Sequence, residues 1–277
     1  MTAKRSAHER FPEVIAAAVR VFARDGYRSA HMSDVAREAG LSEAAIYRYV
    51  DSKEGLFVLA IRHALLREPL PGAHGAHGAH GAHGAHGARG ARGARGCQPG
   101  DFPLPAPSLA DMIAQARELV AAEVPFGALA EALRAPDTDD PAAELDRILR
   151  EMFNLEELTA PAADMIERSA RELPELADLL NSGLRRPVLD ALTQYLDGRA
   201  KTGKLRGTPD TAATARLVLE TLTWFARHRY ADTQGAAIPP ALAQETAVDA
   251  LLHALVPPRY LKAQYLKART AKVRDHQ

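Results

Sequence analysis

Eight consecutive triplets that begin with Gly-Ala divide this chain of 277 residues into two unequal parts. The repeat carries no apolar side chain larger than alanine, so it cannot offset the conformational entropy that ordering would cost. Four prolines follow it within residues 99–107. We therefore predict a flexible, low-complexity linker over residues 71–107. The third residue of each triplet is histidine five times and then arginine three times: His74, His77, His80, His83, His86, Arg89, Arg92 and Arg95.

The composition excludes several classes of protein. The single cysteine, Cys97, rules out a disulfide framework and a cysteine-rich zinc site. No apolar run approaches the roughly 18 residues of a membrane-spanning helix, and the first residues lack the apolar region of a secretory signal. With 47% hydrophobic and 25% charged residues, the chain has an ordinary globular balance. We expect a soluble, cytoplasmic protein.

The net charge of zero conceals an uneven distribution of charge along the chain. Residues 1–70 hold 11 Lys and Arg against 9 Asp and Glu, whereas residues 109–258 hold 15 against 24. Residues 259–277 hold 6 against 1. A mildly basic start and an acidic bulk indicate different functions for the two parts. We predict one domain over 1–70, a larger domain over 108–258 and a basic tail over 259–277.

Apolar residues recur with helical periodicity on both sides of the linker. Val14, Ala18, Val21 and Phe22 form an apolar stripe, and Gly26 is a typical glycine stop after it. No segment alternates as a strand would, so we predict an all-α fold. Prolines bound most of the helices beyond the linker. The helices predicted there span 109–134, 141–158, 161–171, 174–202, 209–230 and 242–256.

Residues 30–49 have the spacing of a helix-turn-helix, with two short helices joined by a tight turn. Ala36 and Ala39 are small enough for the helices to cross closely, and Gly40 suits the turn. Ser42 is a good N-cap for the second helix, whose first backbone N–H groups suit a phosphate. We expect Val35, Leu41 and Ile46 to be buried, and Glu43, Ala44, Tyr47 and Arg48 to face outward, with Ala45 at the edge.

Three segments carry a more specific pattern: residues 15–27 (IAAAVRVFARDGY), 35–42 (VAREAGLS) and 45–57 (AIYRYVDSKEGLF). Over residues 8–65 the chain thereby resembles the TetR-like family of bacterial transcriptional regulators. In that family these segments form the first helix, the second helix with its turn, and the recognition helix with the start of the fourth. The resemblance implies an N-terminal helix-turn-helix DNA-binding domain and a C-terminal helical domain for ligand binding and dimerisation.

The chain departs from the family pattern in two places. Ala30 and His31 stand where the family usually has the threonine or serine whose hydroxyl caps the second helix. Ser29 or His31 would have to substitute for it. The linker also falls where the family passes directly from the fourth helix into the ligand-binding domain.

The resemblance implies that the recognition helix and its surroundings contact DNA. Arg48 would bind a phosphate or a guanine, and Glu43 would accept from a cytosine amino group or only favour the helix N-terminus. Tyr49 would touch DNA or pack against the fourth helix, and Lys53 would meet a phosphate. The predicted DNA-binding residues are Ser33, Ser42, Glu43, Ala44, Ala45, Tyr47, Arg48, Tyr49 and Lys53.

The resemblance implies two further sets of residues in the C-terminal part. Two apolar stripes suit the four-helix dimer interface of the family, or else an intramolecular core. These stripes contain Leu217, Thr221, Trp224, Phe225, Val248, Leu251, Leu252 and Leu255. A small-molecule pocket, with ordinary core as the alternative, is predicted at Met112, Phe126, Met152, Phe153, Met165, Tyr195 and Trp224.

The function that the resemblance implies is a ligand-responsive transcriptional regulator, acting as a repressor that binds a palindromic operator as a homodimer. Its partners would be double-stranded DNA and an unknown small-molecule effector, with no cofactor and no membrane. An enzyme is not expected, because no nucleophile elbow, phosphate loop or metal-ligand motif is present. The alternative is a metal-handling or scaffold protein that uses the five histidines of the repeat.

The linker hypothesis predicts the effect of deleting residues 72–95. A flexible chain of about 36 residues spans on the order of 30–36 Å, so it imposes little geometry on its ends. The shortened protein should therefore bind DNA from upstream of its own gene within about threefold of the full chain, measured by fluorescence anisotropy. A folded deletion variant that no longer binds this DNA would contradict a passive linker.

Overall fold

A computed structural model describes residues 7–66, 102–122, 126–135 and 137–261. The predicted linker up to residue 101 and the predicted tail from residue 262 lie outside these ranges, so both stay predictions. Contacts divide the chain into two compact units. The first unit comprises residues 1–114 and 161–177, and the second comprises residues 115–160 and 178–277.

Helices dominate the structure, and the prediction of an all-α fold is confirmed. Within the described ranges no strand forms, and Val50 and Leu104 make an isolated parallel bridge. None of the described helices is both long and apolar enough to cross a membrane. The α-helices are α1 (Ala7–Ser29), α2 (Met32–Ala39), α3 (Glu43–Ile46), α4 (Lys53–Leu66), α5 (Leu109–Ala122), α6 (Gly127–Arg134), α7 (Pro141–Ala170), α8 (Pro174–Asp178), α9 (Arg186–Lys201), α10 (Thr211–Ala226), α11 (Thr233–Ala236) and α12 (Pro240–Leu255).

In the first unit, α1 packs against α2 and α4. The predicted apolar stripe of α1 is buried. Within it, Phe22 meets Phe57 of α4 edge-on, with 5.0 Å between the ring centroids. Aromatic pairs of this kind stabilise a core beyond the surface area that they bury. Helices α2 and α4 therefore both pack against α1.

Two glycines end helical segments at the positions where the sequence predicts stops. Gly26, with a φ of 80°, interrupts α1 near its end, and Gly40, with a φ of 65°, follows α2. At Gly40 the Leu41 N–H donates to the Ala36 carbonyl oxygen at 2.8 Å, and the Gly40 N–H donates to the Arg37 carbonyl oxygen at 3.2 Å. Glycine adopts a positive φ without steric cost, so the chain turns directly from α2 towards α3.

Residues 102–107, which we call the strap, differ from the flexible linker predicted for them. The Leu104 N–H donates to the Tyr49 carbonyl oxygen at 2.9 Å, and the Phe102 ring lies beside those of Phe11 and Tyr49. Phe102 and Leu104 are large apolar side chains that gain free energy by burial, whereas the triplets before them contain none. The strap therefore packs against the first unit, within the segment for which the sequence predicts a flexible linker.

The second unit has its own hydrophobic core, formed mainly by side chains of α6, α7, α9, α10 and α12. Helix α10 packs against α9 and α12, and α6 packs against α9. The predicted stripe of α12, which comprises Val248, Leu251, Leu252 and Leu255, is buried in this core. The structure therefore favours intramolecular packing, the alternative to a dimer interface, for these four residues.

Pro161 does not end a helix as predicted. Helix α7 continues through it to Ala170, although proline removes a helical hydrogen bond and disturbs the preceding turn. Ala162, Met165 and Ile166, which follow Pro161 along the helix, are buried. Their packing outweighs the local cost of the proline.

Three other predicted helices are interrupted. In the segment 209–230, α10 ends at Ala226 and a 3₁₀ helix over His228–Ala231 follows. The segment 109–134 is divided into α5 and α6. The segment 174–202 consists of α8, a π-helix over Leu179–Arg185, and α9. Ser182 and Gly183, both weak helix formers, lie within the π-helix.

The packing of α7 predicts opposite outcomes for two of its leucines. Leu149 is fully buried in the core of the second unit, whereas 43% of the surface of Leu158 is exposed. Leu149→Ala should lower the free energy of unfolding by about 2–5 kcal/mol, because it leaves a cavity. Leu158→Ala should change it by less than about 0.5 kcal/mol. Urea denaturation followed by circular dichroism measures both, and equal effects would contradict the placement of Leu149 in the core.

Candidate nucleic-acid interface

The candidate site is α3 together with the turn that follows it. Helix α3 is a single turn, Glu43–Ile46. The turn then carries the chain to Val50, and the Tyr49 N–H donates to the Ile46 carbonyl oxygen at 2.9 Å. The regular helix is thus shorter than the predicted one, which extended to Tyr49. Ser42 occupies the N-cap position, as predicted, but its side chain makes no capping hydrogen bond, so its hydroxyl stays available to a ligand.

The side chains of α3 and its turn divide between the core and the solvent. Ala45, Ile46 and Tyr49 are buried. Tyr47 is 45% exposed, which is a large fraction for an aromatic side chain. The predicted DNA-binding residues that are exposed are Ser33 on α2 and Ser42, Glu43, Ala44, Tyr47 and Arg48.

Arg48 and Glu43 differ from the charged residues of the neighbouring helix. Arg37 on α2 donates to the Asp34 carboxylate at 2.6 Å. Neither Arg48 nor Glu43 makes a side-chain hydrogen bond or an ion pair with any residue in the described part of the chain. An exposed guanidinium without an acidic partner keeps its charge and donors for an anionic ligand such as a nucleic acid.

Two predicted DNA-binding residues, Ala45 and Tyr49, lie inside the first unit. Both are only 5% exposed, and the Tyr49 ring stacks on Phe11 of α1 with 6.0 Å between the centroids. This placement favours the packing alternative for Tyr49, with α1 as the partner where the fourth helix was expected. Both residues therefore lie on the buried side of α3 and its turn, opposite the exposed surface.

Lys53 lies at the start of α4, and its side chain is hydrogen-bonded to the end of α1. Its Nζ donates to the Arg28 carbonyl oxygen at 3.1 Å and lies 4.9 Å from the centre of the Tyr27 ring. Partial burial lowers the pKa of Lys53, and the Glu172 carboxylate opposes this shift. An ammonium group has three N–H donors, so two remain after the bond to Arg28. Lys53 can therefore hold the end of α1 and still meet a phosphate.

The start of α2 explains how the chain manages without the usual hydroxyl cap. His31 is the N-cap residue, and its backbone N–H donates to the Asp34 carboxylate at 3.1 Å. This hydrogen bond, with a further contribution from Arg37, lowers the pKa of Asp34. An acidic residue in the first turn also interacts favourably with the helix dipole. Asp34 thus stabilises the start of α2 where the family uses a hydroxyl.

The predicted ligand-pocket residues lie in the cores of both units, with one exception. Such burial favours ordinary core packing, the alternative given for them. Trp224 is the exception, since 38% of its surface is exposed. The buried residues are Met112 and Met165 in the first unit, and Phe126, Met152, Phe153 and Tyr195 in the second.

Tyr195 belongs to a buried polar network in the second unit. Its hydroxyl donates to Glu144 Oε1 at 3.1 Å, and Arg199 Nε donates to the same oxygen at 2.9 Å. Arg199 Nη2 also donates to the Ala132 carbonyl oxygen near the end of α6 at 2.9 Å. Burial, followed by the neighbouring Glu144 carboxylate, raises the pKa of Tyr195. Because its charges are paired, the network can hold α6, α7 and α9 together inside the protein.

A surface cavity of about 320 Å³, broadly open to solvent, lies in the second unit at residues that the sequence pattern did not indicate. Arg117 and Asp178, which form an ion pair, contribute its charged groups. Ser182 and Gly183 of the π-helix and Pro187 of α9 complete its lining. The sequence feature that could have indicated this region is Gly183, which lies inside the predicted helix 174–202. A glycine inside a helix often marks a packing or functional feature.

The predicted dimer residues of α10 reach the surface, in contrast to those of α12. Leu217 and Trp224 are exposed, and Thr221 and Phe225 are half-buried. Leu242, near the start of α12, is an exposed apolar residue that the predicted stripe did not include. The second unit therefore presents large apolar side chains to solvent from α10 and from the start of α12.

The described ranges contain no group of three or more His, Cys, Asp or Glu side chains that could hold a metal ion. The five histidines of the repeat, on which the metal-handling alternative rests, lie outside those ranges. That alternative stays a prediction.

Comparison with known proteins identifies the helix-turn-helix. The family model for bacterial regulatory proteins of the tetR family matches residues 14–60, while no curated protein matches the chain. Among solved structures, the TetR-family regulator PfmR from Thermus thermophilus is 20% identical with a TM-score of 0.47, covering 92% of this chain and 100% of that one. A TetR-family regulator from Mesorhizobium loti is 16% identical with a TM-score of 0.44, covering 92% and 100%. The match over residues 14–60 covers α2 and α3, so this segment is similar to the DNA-binding helix-turn-helix of the tetR family of bacterial regulatory proteins, which supports a DNA-binding transcriptional regulator.

Proposed function

We propose that this protein is a repressor that binds a palindromic operator as a homodimer and is released by a small-molecule effector. The observation that carries the proposal is the exposed face of α3 and its turn, where Glu43, Ala44, Tyr47 and Arg48 face solvent and where Glu43 and Arg48 have no side-chain partner among the described residues. A surface of this kind, on the second helix of a helix-turn-helix, fits the major groove of B-form DNA.

Each exposed side chain of this face has a chemistry that matches a base edge or a phosphate. The Arg48 guanidinium presents paired donors to the O6 and N7 acceptors of a guanine or to a phosphate. The Glu43 carboxylate accepts from a cytosine amino group. Ala44 is small, so it lets the helix approach the bases closely. Tyr47 adds an aromatic ring and a hydroxyl that donates to a phosphate oxygen.

A second group of residues would position the protein on the DNA backbone. Ser33 and Ser42 carry exposed hydroxyl groups, and Lys53 has two N–H donors beyond its bond to α1. Contacts of this type bind phosphates and carry no sequence information. The proposal therefore separates Arg48 and Glu43, which read the sequence, from Lys53, which sets the register.

The proposed dimer uses the apolar surface of α10. Leu217, Thr221 and Trp224 follow an i, i+4, i+7 pattern and thus share one face of that helix. Exposure of large apolar side chains to water is unfavourable, and a second copy of the chain would bury them. A two-fold axis would then place two copies of α3 in successive major grooves, roughly 34–36 Å apart.

The proposed effector binds the second unit, where the cavity of about 320 Å³ has a volume at the lower end of the range for small-molecule sites, about 300–1,000 Å³. An effector releases a repressor only when it binds the released conformer more tightly than the DNA-bound one. The paired Arg117 and Asp178 side chains give this cavity both a donor and an acceptor for such a ligand.

The division between reading and positioning residues predicts different results for two kinds of variant. We define the selected duplex as the double-stranded sequence that the wild-type protein enriches from a random library, and the scrambled duplex as the same bases reordered. Either Arg48→Ala or Glu43→Ala should lose roughly 1–3 kcal/mol per half-site on the selected duplex and far less on the scrambled one. Lys53→Ala should weaken both duplexes by similar factors, and should flatten the slope of log K against log salt by about 1.8 per dimer, from roughly 0.9 per phosphate.

Fluorescence anisotropy with both duplexes across a salt series measures these effects. Arg20→Ala is the matched control, because it removes the same charge from a residue that is paired with Glu38 on the neighbouring helix. The control should keep the preference for the selected duplex. If Lys53→Ala changed the base preference, or if neither Arg48→Ala nor Glu43→Ala did, this placement of α3 on DNA would be wrong. A wild-type protein that enriches no sequence would contradict the proposed function itself.

The proposed dimer surface predicts that Leu217→Glu produces a monomer. Leu217 is 61% exposed in the single chain, so a charge there should leave the fold intact and act only on association. Because two half-sites are no longer engaged together, affinity for the selected duplex should fall by about a hundredfold. Leu158→Glu, at an exposed leucine of α7, is the control and should stay dimeric. Light scattering measures the mass, and a dimeric Leu217→Glu variant would move the interface elsewhere.

A further inference from the structure

We propose that the strap, residues 102–107, is a positioning element for operator recognition. In this role the strap holds the turn that carries Tyr47 and Arg48 against α1. The inference rests on the proposed function, since it concerns how the DNA-facing surface of α3 is kept in place. Its evidence is a ring cluster, a backbone hydrogen bond and a second attachment at α4.

Three aromatic rings meet where the strap crosses the first unit. The Phe102 centroid lies 5.3 Å from that of Phe11 on α1 and 5.2 Å from that of Tyr49, which it meets edge-on at 82°. Phe11 and Tyr49 are themselves stacked at 6.0 Å. Each ring therefore contacts the other two, and the strap supplies one of them. Removing Phe102 would uncover the side of Tyr49 that faces the strap.

The strap also binds the backbone at the end of the recognition turn. The Leu104 N–H donates to the Tyr49 carbonyl oxygen at 2.9 Å, within a parallel bridge between Leu104 and Val50. The Tyr49 carbonyl lies beyond the last regular turn of α3, so a residue far along the sequence provides its partner. Tyr49 is thus held by its ring and by its backbone.

A second attachment fixes the other end of the strap to α4. A Cβ atom at Gly55 would lie 3.2 Å from the Ala106 Cβ, so the absence of a side chain at Gly55 allows the strap to approach closely. The Glu54 carboxylate accepts from the Leu109 N–H at 3.1 Å, two residues after the strap. The strap is therefore attached to the turn after α3 and to the first turn of α4.

These attachments matter because α3 is too short to keep a fixed orientation without tertiary contacts. A single helical turn fixes many dihedral angles for few hydrogen bonds, so its stability comes from tertiary contacts. Tyr47 and Arg48 immediately precede Tyr49, and both are exposed. If Tyr49 were packed less firmly, the side chains of Tyr47 and Arg48 would adopt a range of orientations. Recognition would then weaken, because a bidentate contact with a base tolerates little change of angle.

The first test compares substitutions within the strap. Phe102→Ala should lower affinity for the selected duplex by at least about tenfold, while affinity for the scrambled duplex falls less than about threefold. Phe102→Tyr retains the ring and should stay within about threefold of the wild type on both duplexes. Pro105→Ala, at an exposed residue of the strap, is the matched control and should bind as the wild type does.

Hydrogen exchange gives a readout that general destabilisation would not reproduce. In Phe102→Ala, amides of residues 43–50 should exchange faster, while those of α2 keep their wild-type rates. A merely destabilising substitution would accelerate exchange in both segments and weaken binding to both duplexes equally. Either of those results would overturn the proposal.

A pair of variants at Leu104 tests the backbone bond independently, and decides the question if Phe102→Ala does not fold. Leu104→Pro removes both the N–H donor and the leucine side chain, whereas Leu104→Ala removes most of the side chain and keeps the donor. The proline variant should lose preference for the selected duplex beyond the loss in the alanine variant. Equal affinities for the two variants, with the wild-type protein still selecting its duplex, would overturn the strap proposal and leave the proposed function standing.

Discussion

The proposed DNA-facing surface of this protein depends on the burial of one side of α3, because a helix of one turn has almost no stability of its own. Ile46 and Tyr49 are buried in the first unit, and Tyr49 stacks on Phe11 of α1. Once these side chains are packed, the direction of the turn is set. Tyr47 and Arg48, which lie between them in sequence, then face the solvent. The proposed recognition surface therefore consists of the residues of α3 and its turn that stay exposed once Ile46 and Tyr49 are buried.

Buried and exposed arginines of this protein differ in their partners, because burial removes the charge from water. In the second unit, Arg199 reaches the Ala132 carbonyl oxygen near the end of α6, and Arg229 donates to the Ala226 carbonyl oxygen at 3.0 Å at the end of α10. A charge inside a protein needs such partners, since desolvation is costly. Arg48 is exposed and has no acidic partner among the described residues, and an exposed charge costs little and attracts a polyanion.

Several local features were predictable because they depend on neighbouring residues alone. The stops at Gly26 and Gly40 follow from the freedom of glycine to adopt a positive φ, and the apolar stripe of α1 follows from helical periodicity. Pro161 shows where such reasoning fails. Proline is locally unfavourable in a helix, yet buried side chains after it keep α7 continuous. Tertiary packing, which a local rule does not include, decided that case.

By itself, the sequence determined the all-α class, the helix-turn-helix and the outward direction of Glu43 and Arg48, because periodicity and turn chemistry act over a few residues. Only the tertiary structure decided that Tyr49 packs on α1, that Lys53 binds the end of α1, and that the strap packs on Phe11 and Tyr49. It likewise assigned the apolar stripe of α12 to the core of the second unit. These outcomes depend on contacts between residues far apart in the chain, and no local pattern records which distant surface a side chain will meet.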